Sequence, residues 1–224
     1  MRAKMYFALV AEFAVFAAIL FGAAGRLDWR EGWAFLAVFF GCAFAISEWV
    51  LQKDPALMAE RLGSPVQRDQ PVWDRFFLPV VGVVFLGWLT SMGLDARYGW
   101  SDVPVWLEAL GGAAVVAGFA IVARVFAENT FLAPVVKVQA ERAHRVISTG
   151  PYAVVRHPMY AGAVLVLLGS GLLAGSWWAT AGSLLIVLAI AIRAVLEERL
   201  LKTTLAGYAG YAARVRYRLV PLVW

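Results

Sequence analysis

The chain has 224 residues, of which 62% are hydrophobic, with a mean hydropathy of +0.73 and a formal net charge of +5. A soluble domain has roughly half its residues apolar, so this composition excludes an ordinary soluble protein and places the chain in a bilayer. The basic residues are scattered between apolar runs and form no continuous stripe, so no nucleic acid partner is expected. The only cysteine, Cys42, lies in an apolar run, which excludes a disulfide framework and a cysteine metal site.

Six apolar stretches approach the length of roughly 20 residues that a helix needs to cross a hydrocarbon core. In chain order they are residues 5–24, 33–51, 76–94, 106–126, 157–175 and 176–192. The first is longer than the apolar region of a signal peptide, and a second run follows soon after it, which favours a retained span. The last two form a tight helical hairpin in which either helix can be short. The predicted fold is all-α: a polytopic integral membrane helical bundle with about six transmembrane helices, five being possible.

The basic residues predict which side of the membrane each loop occupies, because Lys and Arg are retained in cytoplasmic loops. With six spans, all but three of the 20 basic residues fall on the side that holds both termini, and only Arg26, Arg30 and Arg97 fall opposite. Both termini are therefore predicted to be cytoplasmic, in an integral protein of a bacterial inner membrane. The residues on the cytoplasmic side are Arg2, Lys4, Lys53, Arg61, Arg68, Arg75, Arg124, Lys137, Arg142, Arg145, Arg156, Arg193, Arg199, Lys202, Arg214, Arg216 and Arg218.

Two long loops on this side mix polar and apolar residues, so the chemistry is expected there. In the first, Asp54-Pro55 is a helix-start signal that precedes an apolar face, which predicts either a short interfacial helix or a plain connection. We therefore divide the chain into residues 1–127, which hold helices 1 to 4 and a cytoplasmic interfacial loop at 52–75, and residues 128–224, which hold the second long loop, the helical hairpin and the C-terminal helix and tail.

Both histidines of the chain, His144 and His157, lie in the second long loop or at its junction with the fifth span. Pro158 suits the first turn of the following helix, where its missing N–H is no loss. His157 and nearby N–H groups would then lie at a helix N-terminus, a favourable place for a carboxylate or phosphate. The alternative is that His157 only caps the helix while Arg156 reaches the lipid headgroups.

A second group of charges follows the last apolar run, where Arg193 and Glu197 are four residues apart and share one helix face. They form either an ion pair on a solvated helix or part of a site, since an ionisable group at the membrane edge is a functional candidate. The tight hairpin would bring Arg193 near the turn at residues 156–160. No metalloprotease or phosphate-loop motif occurs, and no metal is expected.

In these segments, the chain resembles the isoprenylcysteine carboxyl methyltransferase family and the related membrane phospholipid methyltransferases. The resemblance covers about residues 128–224 in five separated elements that recur in order. These elements are His144 to Ile147, Gly150-Pro151-Tyr152, Arg156-His157-Pro158-Met159-Tyr160-x-Gly162, Arg193 with Glu197-Glu198, and Gly207-Tyr208-x-x-Tyr211 with the closing Val220-Pro221.

The resemblance implies that residues 128–224 form a catalytic region with a C-terminal cytoplasmic cofactor site. The implied cofactor is S-adenosyl-L-methionine, which leaves as S-adenosyl-L-homocysteine. Arg193, Tyr160 and Arg156 are the implied catalytic residues, with Arg193 facing the methyl acceptor. The residues implied to bind the cofactor are Gln139, His144, Arg145, Val146, Ile147, Tyr152, His157, Pro158, Met159, Tyr160 and Glu197.

The implied activity is methyl transfer to a lipophilic acceptor, a prenylated small molecule or peptide, at a carboxylate. Nothing in the sequence itself reports a prenyl-cysteine substrate or an oligomeric state. Two other enzymes fit the same segments: a phospholipid N-methyltransferase with the same cofactor, and a membrane NADPH-dependent sterol or enone reductase, which carries a similar Arg-His-Pro-x-Tyr turn. The Glu197-Glu198 pair after Arg193 favours a methyltransferase. A non-catalytic scaffold or transporter remains as a third alternative.

Overall fold

The computed structural model describes residues 1–64, 66–67 and 70–224 and contains only helices and connecting segments over those ranges. Two 3₁₀ turns, Ala140–Arg142 and Gly150–Ala153, lie between the fifth and sixth helices. The all-α fold predicted from the sequence is therefore confirmed. The described residues form eight α-helices, which are α1 (Arg2–Ala24), α2 (Arg30–Lys53), α3 (Pro55–Arg61), α4 (Val72–Tyr98), α5 (Val105–Glu128), α6 (Pro158–Leu173), α7 (Trp177–Thr204) and α8 (Tyr208–Arg214).

Five of these helices, α1, α2, α4, α5 and α7, are long and apolar enough to cross a membrane. The fifth predicted span, residues 157–175, corresponds to α6, which has only 16 residues. At 1.5 Å per residue α6 is about 24 Å long, shorter than the roughly 30 Å of a hydrocarbon core. Its hairpin partner α7 has 28 residues, and its last turns carry charged side chains. The protein is thus an integral membrane bundle of five long helices and one short one.

The six apolar helices close into a ring. Helix α1 packs on α4, α4 on α7, α7 on α6, α6 on α5, α5 on α2, and α2 on α1, while α2 also reaches α6 across the ring. We call the end where α2, α5 and α7 finish the site end, and the opposite end, with the α6–α7 turn, the hairpin end. Part of the predicted interfacial loop 52–75, namely Pro65, Arg68 and Asp69, lies outside the described residues.

Aromatic side chains fill the space between the helices toward the hairpin end. The ring of Phe16 lies 5.3–5.6 Å, between centroids, from those of Phe39, Phe40 and Phe85. Trp88 joins this cluster, and its indole N–H donates to the carbonyl of Ala179 at 2.7 Å. The buried donor is therefore satisfied by the backbone of α7, which ties α4 to the start of that helix.

A polar contact fixes the α6–α7 hairpin that the sequence predicts. Gly175 has a left-handed φ of 71°, which lets the chain reverse within a few residues. The hydroxyl of Ser176 caps α7 by accepting from the N–H of Ala179 at 2.9 Å, and it donates to the buried carboxylate of Asp95 on α4. Ser101 donates to the same carboxylate at 2.6 Å, so three segments meet at this end.

The helix predicted after Asp54-Pro55 is present as α3. The carboxylate of Asp54 accepts a hydrogen bond from the N–H of Leu57 at 2.9 Å, which is the expected cap. Leu57 and Met58 bury their side chains against the start of α1 and the end of α2. Helix α3 therefore packs at the site end of the bundle, and its interfacial position in the membrane stays a prediction.

Candidate active site

A cleft opens at the site end between the last turns of α7, the start of α6, helix α8 and the long segment that follows α5. It encloses about 850 Å³ of empty space, part of which is open to solvent. Its lining combines apolar and aromatic side chains with a few charged and polar groups, which is typical of small-molecule sites.

The cleft brings together all but one of the residues that the sequence predicts for the site. Gln139 is the exception, since it is completely buried behind the cleft and does not line it. The predicted residues that line the cleft are His144, Arg145, Val146, Ile147, Tyr152, Arg156, His157, Pro158, Met159, Tyr160, Arg193 and Glu197.

Glu197 contributes a carboxylate to the cleft. Its Oε2 atom accepts a hydrogen bond from the phenol of Tyr160 at 2.7 Å, which links α7 to the first turn of α6. Among the described residues no partner engages the other oxygen, Oε1. The ring of Tyr160 also stacks on His157, with centroids 5.4 Å apart. One carboxylate oxygen is therefore held in place while the second is available to a ligand.

The next residue, Glu198, points away from the cleft and organises the surrounding chain. Arg156 donates to both of its oxygens, at 2.6 and 3.2 Å, in a buried fork-like pair. His157 lies 3.2 Å from Oε1, and Arg218 donates to Oε2 at 3.2 Å. Two adjacent glutamates thus have different surroundings, because successive residues of a helix project about 100° apart.

Arg156 is held by the protein on most sides. Besides the pair with Glu198, its Nη1 donates to the carbonyls of Val215 and Arg216 at 2.7 and 2.8 Å. Its backbone N–H donates to the carbonyl of Tyr217 at 2.9 Å. These contacts anchor the chain after α8 to the start of α6. Arg156 lines the cleft, but its catalytic role stays a prediction, and the contacts themselves describe a positioning residue.

Arg193 pairs with Asp74 of α4. Its Nε donates to Asp74 Oδ1 at 3.1 Å, and its Nη2 donates to the carbonyl of Pro134 at 3.1 Å. The side chain of Asp74 is fully buried, and its Oδ2 accepts from Gln70 and from the N–H of Val136. The ion pair that the sequence offered between Arg193 and Glu197 is therefore replaced by a long-range pair, and both residues face the cleft.

Side chains that bond to the backbone brace the segment after α5. The amide of Gln139 donates to the carbonyl of Phe131 at 2.6 Å and accepts from Arg142 at 2.7 Å. Arg142 also donates to the carbonyl and the hydroxyl of Thr130, at 2.9 and 2.7 Å. Gln139 therefore shapes the cleft wall from behind. Its predicted contact with a cofactor is not tested by these bonds and stays a prediction.

His144 contributes a flat ring to the cleft. It stacks on Phe131 with centroids 4.5 Å apart, and its Nδ1 accepts from the N–H of Gln139 at 3.3 Å. Burial lowers the pKa of His144, and the neighbouring Arg142 cation lowers it further. The imidazole is thus neutral at pH 7, which suits its role as an acceptor at Nδ1.

Tyr152 closes the inner side of the cleft. Its phenol oxygen accepts from the amide of Asn129 at 2.8 Å, and its carbonyl accepts from the phenol of Tyr211 at 2.8 Å. Burial raises the pKa of Tyr152, so the phenol keeps its proton. The preceding Gly150 has a left-handed φ of 55°, which L side chains rarely adopt, so this turn favours glycine.

Several residues of the site give no local signal in the sequence. Asp74 lies 119 residues from its partner Arg193, in a segment that matches no motif. Arg218 lies between two recognised elements but belongs to neither, and it joins the Glu198 cluster only through the fold. Asn129 precedes the site in sequence but is identified as a partner of Tyr152 only by the structure. Hydrogen bonds between distant segments are thus the part of the site that sequence reasoning missed.

Part of the chain matches a known protein family. Residues 106–206 match the family described as phospholipid methyltransferase, which is less than half of the chain. The matched region runs from the start of α5 to just beyond α7 and contains Arg193, Glu197 and every residue predicted to contact the cofactor. No curated protein matches the chain.

Together with the apolar bundle, this match indicates a membrane methyltransferase that acts on a lipid-type substrate. The finer assignments, among them the identity of the acceptor, do not follow from the match. Asp74 and Tyr208 lie outside the matched residues although both belong to the cleft or its immediate support.

Proposed function

We propose that the protein is an S-adenosyl-L-methionine-dependent methyltransferase that transfers a methyl group to a carboxylate of a lipophilic acceptor. One observation carries the proposal. The Tyr160–Glu197 pair and the cation of Arg193 line the same cleft, at the start of α6 and in the last turns of α7. This provides a carboxylate for the cofactor and a cation for an anionic acceptor within a single cleft.

The residues fit the proposed cofactor. S-adenosyl-L-methionine carries an ammonium group, ribose hydroxyls and a flat adenine ring. The second oxygen of Glu197 suits an ammonium or a hydroxyl, and the stacked rings of Phe131 and His144 suit a flat heterocycle. When bound, the cofactor supplies an electrophilic methyl group and leaves as a neutral thioether.

The residues of the chain would orient the reactants and exclude water. A carboxylate acceptor is already anionic at neutral pH, so its attack on the methyl carbon needs no general base. Arg193 would hold that carboxylate by a charge-assisted contact, while Asp74 and the carbonyl of Pro134 fix the direction of the guanidinium. Because Asp74 offsets part of the charge of Arg193, Arg193 would stabilise the ground state of the acceptor less strongly.

The acceptor would enter sideways from the bilayer. Large apolar side chains remain exposed along the outer faces of the helices, which is expected for surfaces that contact lipid. Under this proposal the helices of residues 1–127 shape the acceptor side of the site, and residues 128–224 hold the cofactor. The site end would face the cytoplasm of a bacterial inner membrane.

A phospholipid amine is the second candidate acceptor, and the family match over residues 106–206 favours it. In that reaction the acceptor nitrogen must lose a proton, and Arg193 would bind the phosphate of the headgroup instead of the reacting group. The cofactor and its binding residues are common to both reactions, so the choice between them depends on the acceptor alone.

Calorimetric titration of the detergent-purified protein with S-adenosyl-L-methionine, and separately with NADPH, tests the proposal. Saturable binding of the former is expected, and Glu197→Gln should weaken it about 10-fold or more, because a charge-assisted contact becomes a neutral one. Glu31→Gln, the same change at the hairpin end, serves as the control. Binding of NADPH alone would overturn the proposal in favour of a reductase.

The acceptor is then identified with methyl-labelled cofactor and two acceptors in mixed micelles, a farnesylated cysteine derivative and phosphatidylethanolamine. A methyl ester releases labelled methanol in alkali, whereas an N-methyl group survives. Label that is released supports the carboxylate. Stable label in the phospholipid would replace the carboxylate proposal with the amine reaction.

A further inference from the structure

The hydroxyl of Tyr208 has no hydrogen-bond partner in the part of the chain that the structure describes. Its side chain begins α8 and lines the cleft, the residue is 5% exposed, and none of the described residues forms a hydrogen bond with its phenol oxygen. A buried polar group without a partner costs roughly 1–3 kcal/mol, so such groups are uncommon in native structures. A group that enters the cleft is therefore the natural partner of this hydroxyl.

The neighbouring tyrosines show that the missing bond is specific to Tyr208. Tyr152, Tyr208 and Tyr211 belong to one apolar cluster, and all three line the cleft. Tyr211 donates to the carbonyl of Tyr152, and Tyr152 accepts from Asn129. Two of the three phenols thus form hydrogen bonds within the protein, and the hydroxyl of Tyr208 is available to a ligand.

The surroundings of Tyr208 indicate which part of a ligand it would meet. Its ring packs edge to face on Tyr211, with centroids 5.6 Å apart, and Val146, Ile147 and Met159 pack against the same cluster. All of these side chains line the cleft, so this wall is aromatic and aliphatic. A flat heterocycle with polar edges suits such a wall, whereas a carboxylate or an ammonium group does not.

We infer that Tyr208 is a further binding residue, whose hydroxyl bonds to the nucleoside portion of the methyl donor. This inference rests on the proposed function, because it requires a nucleoside-containing cofactor in the cleft. A phenol both donates and accepts, so it can bond to a ring nitrogen of the purine or to a ribose hydroxyl.

The test compares Tyr208→Phe with the wild type in titrations with S-adenosyl-L-homocysteine, using the full-length protein in detergent. The dissociation constant should rise about 3- to 10-fold, which corresponds to one hydrogen bond. Tyr98→Phe, the same change at an exposed position of the hairpin end, is the matched control. The ligand-free Tyr208→Phe protein should melt no lower than the wild type, whereas Tyr211→Phe should melt lower because it loses a bond to the backbone.

Adenosine and methionine, each used to displace labelled S-adenosyl-L-homocysteine, locate the contact within the ligand. The inference holds if Tyr208→Phe weakens adenosine by the same factor and leaves methionine unchanged. Unaltered binding of S-adenosyl-L-homocysteine would overturn it, since the hydroxyl would then be satisfied by water. A loss confined to methionine would also overturn it. Failure of the wild type to bind S-adenosyl-L-homocysteine would instead refute the proposed function.

Discussion

Asp74 shows how a single residue can couple the membrane helices to the site. Its carboxylate is fully buried, with one oxygen on Arg193 of α7 and the other on Gln70 and the backbone of Val136. A buried charge is tolerated only when it is paired and its lone pairs are satisfied, and here every described contact serves that purpose. The direction in which Arg193 faces the cleft therefore depends on a residue of α4.

Breaking the pair should be costly from either side. Asp74→Asn leaves Arg193 without its counter-charge, and Arg193→Met leaves the carboxylate buried and unpaired, so each should destabilise the protein by about 3–5 kcal/mol. The double variant should lose less than the sum, with a coupling of about 1.5 kcal/mol or more. Unfolding of the four proteins in detergent measures this coupling. Additive losses would show that the two side chains do not depend on each other.

The Asp74–Arg193 pair also marks the limit of what residue patterns predict. Tyr160 and Glu197 were predicted as site residues because both lie in motifs. The short turn between α6 and α7 makes these helices antiparallel neighbours and so brings the two motifs together. Asp74 carries no such signal, because an aspartate next to an apolar run does not by itself distinguish a functional site from an ordinary loop. Likewise, the missing partner of Tyr208 is a property of its surroundings in three dimensions. Motifs shared with the methyltransferase families therefore predicted the residues that line the cleft, and tertiary packing determined the contacts that support them.

At the level of elements, α5 and α6 form the closest helix contact near the site. A Cβ at Gly118 would lie 2.6 Å from the carbonyl of Gly162, and one at Gly162 would lie 2.8 Å from the carbonyl of Gly118. The same holds between Gly111 and Gly169, two turns further along. Small residues that allow backbones to touch are typical of membrane helix pairs. Gly162, part of the segment that resembles methyltransferases, is thus a packing residue.

Adding one methyl group to this contact should separate the helices. Gly118→Ala should destabilise the protein by about 1–3 kcal/mol, because the new carbon overlaps a backbone carbonyl that has little room to move. Gly82→Ala is the matched control, since nothing lies within 4 Å of a Cβ at that position of α4. Thermal unfolding in detergent compares the two. Equal stability of both variants would contradict the close contact between α5 and α6.

The helix count was predictable to within one element, for a physical reason. The sequence shows six apolar runs, but a run of apolar residues does not reveal where the backbone turns. The chain reverses at Gly175, and α6 begins only at Pro158, so this helix is left with 16 residues. Helix α7 is 12 residues longer than α6 (28 against 16), and its C-terminal part carries Arg193 and Glu197 into the lining of the cleft.

For the whole molecule, the distribution of charge and the position of the cleft coincide. The site end of the ring holds the cleft, α3 and α8, and the basic residues counted from the sequence concentrate in the segments that connect there. Lys4 donates to the carbonyl of Leu62, and Lys137 pairs with Glu60 at 2.8 Å, so some of these cations also tie the site-end segments together. Basic segments are retained in the cytoplasm, so the cofactor cleft should open where soluble cofactors are available.

This orientation can be tested with single cysteines in a Cys42→Ser background. Ser148 is exposed in the long segment at the site end, and Asp28 is exposed in the turn between α1 and α2 at the hairpin end. In intact cells, a maleimide that does not cross membranes should label Asp28→Cys, whereas Ser148→Cys should react only after lysis. The opposite pattern would place the cleft outside the cytoplasm, where the cofactor would have to be supplied across the membrane, and would refute the proposed orientation.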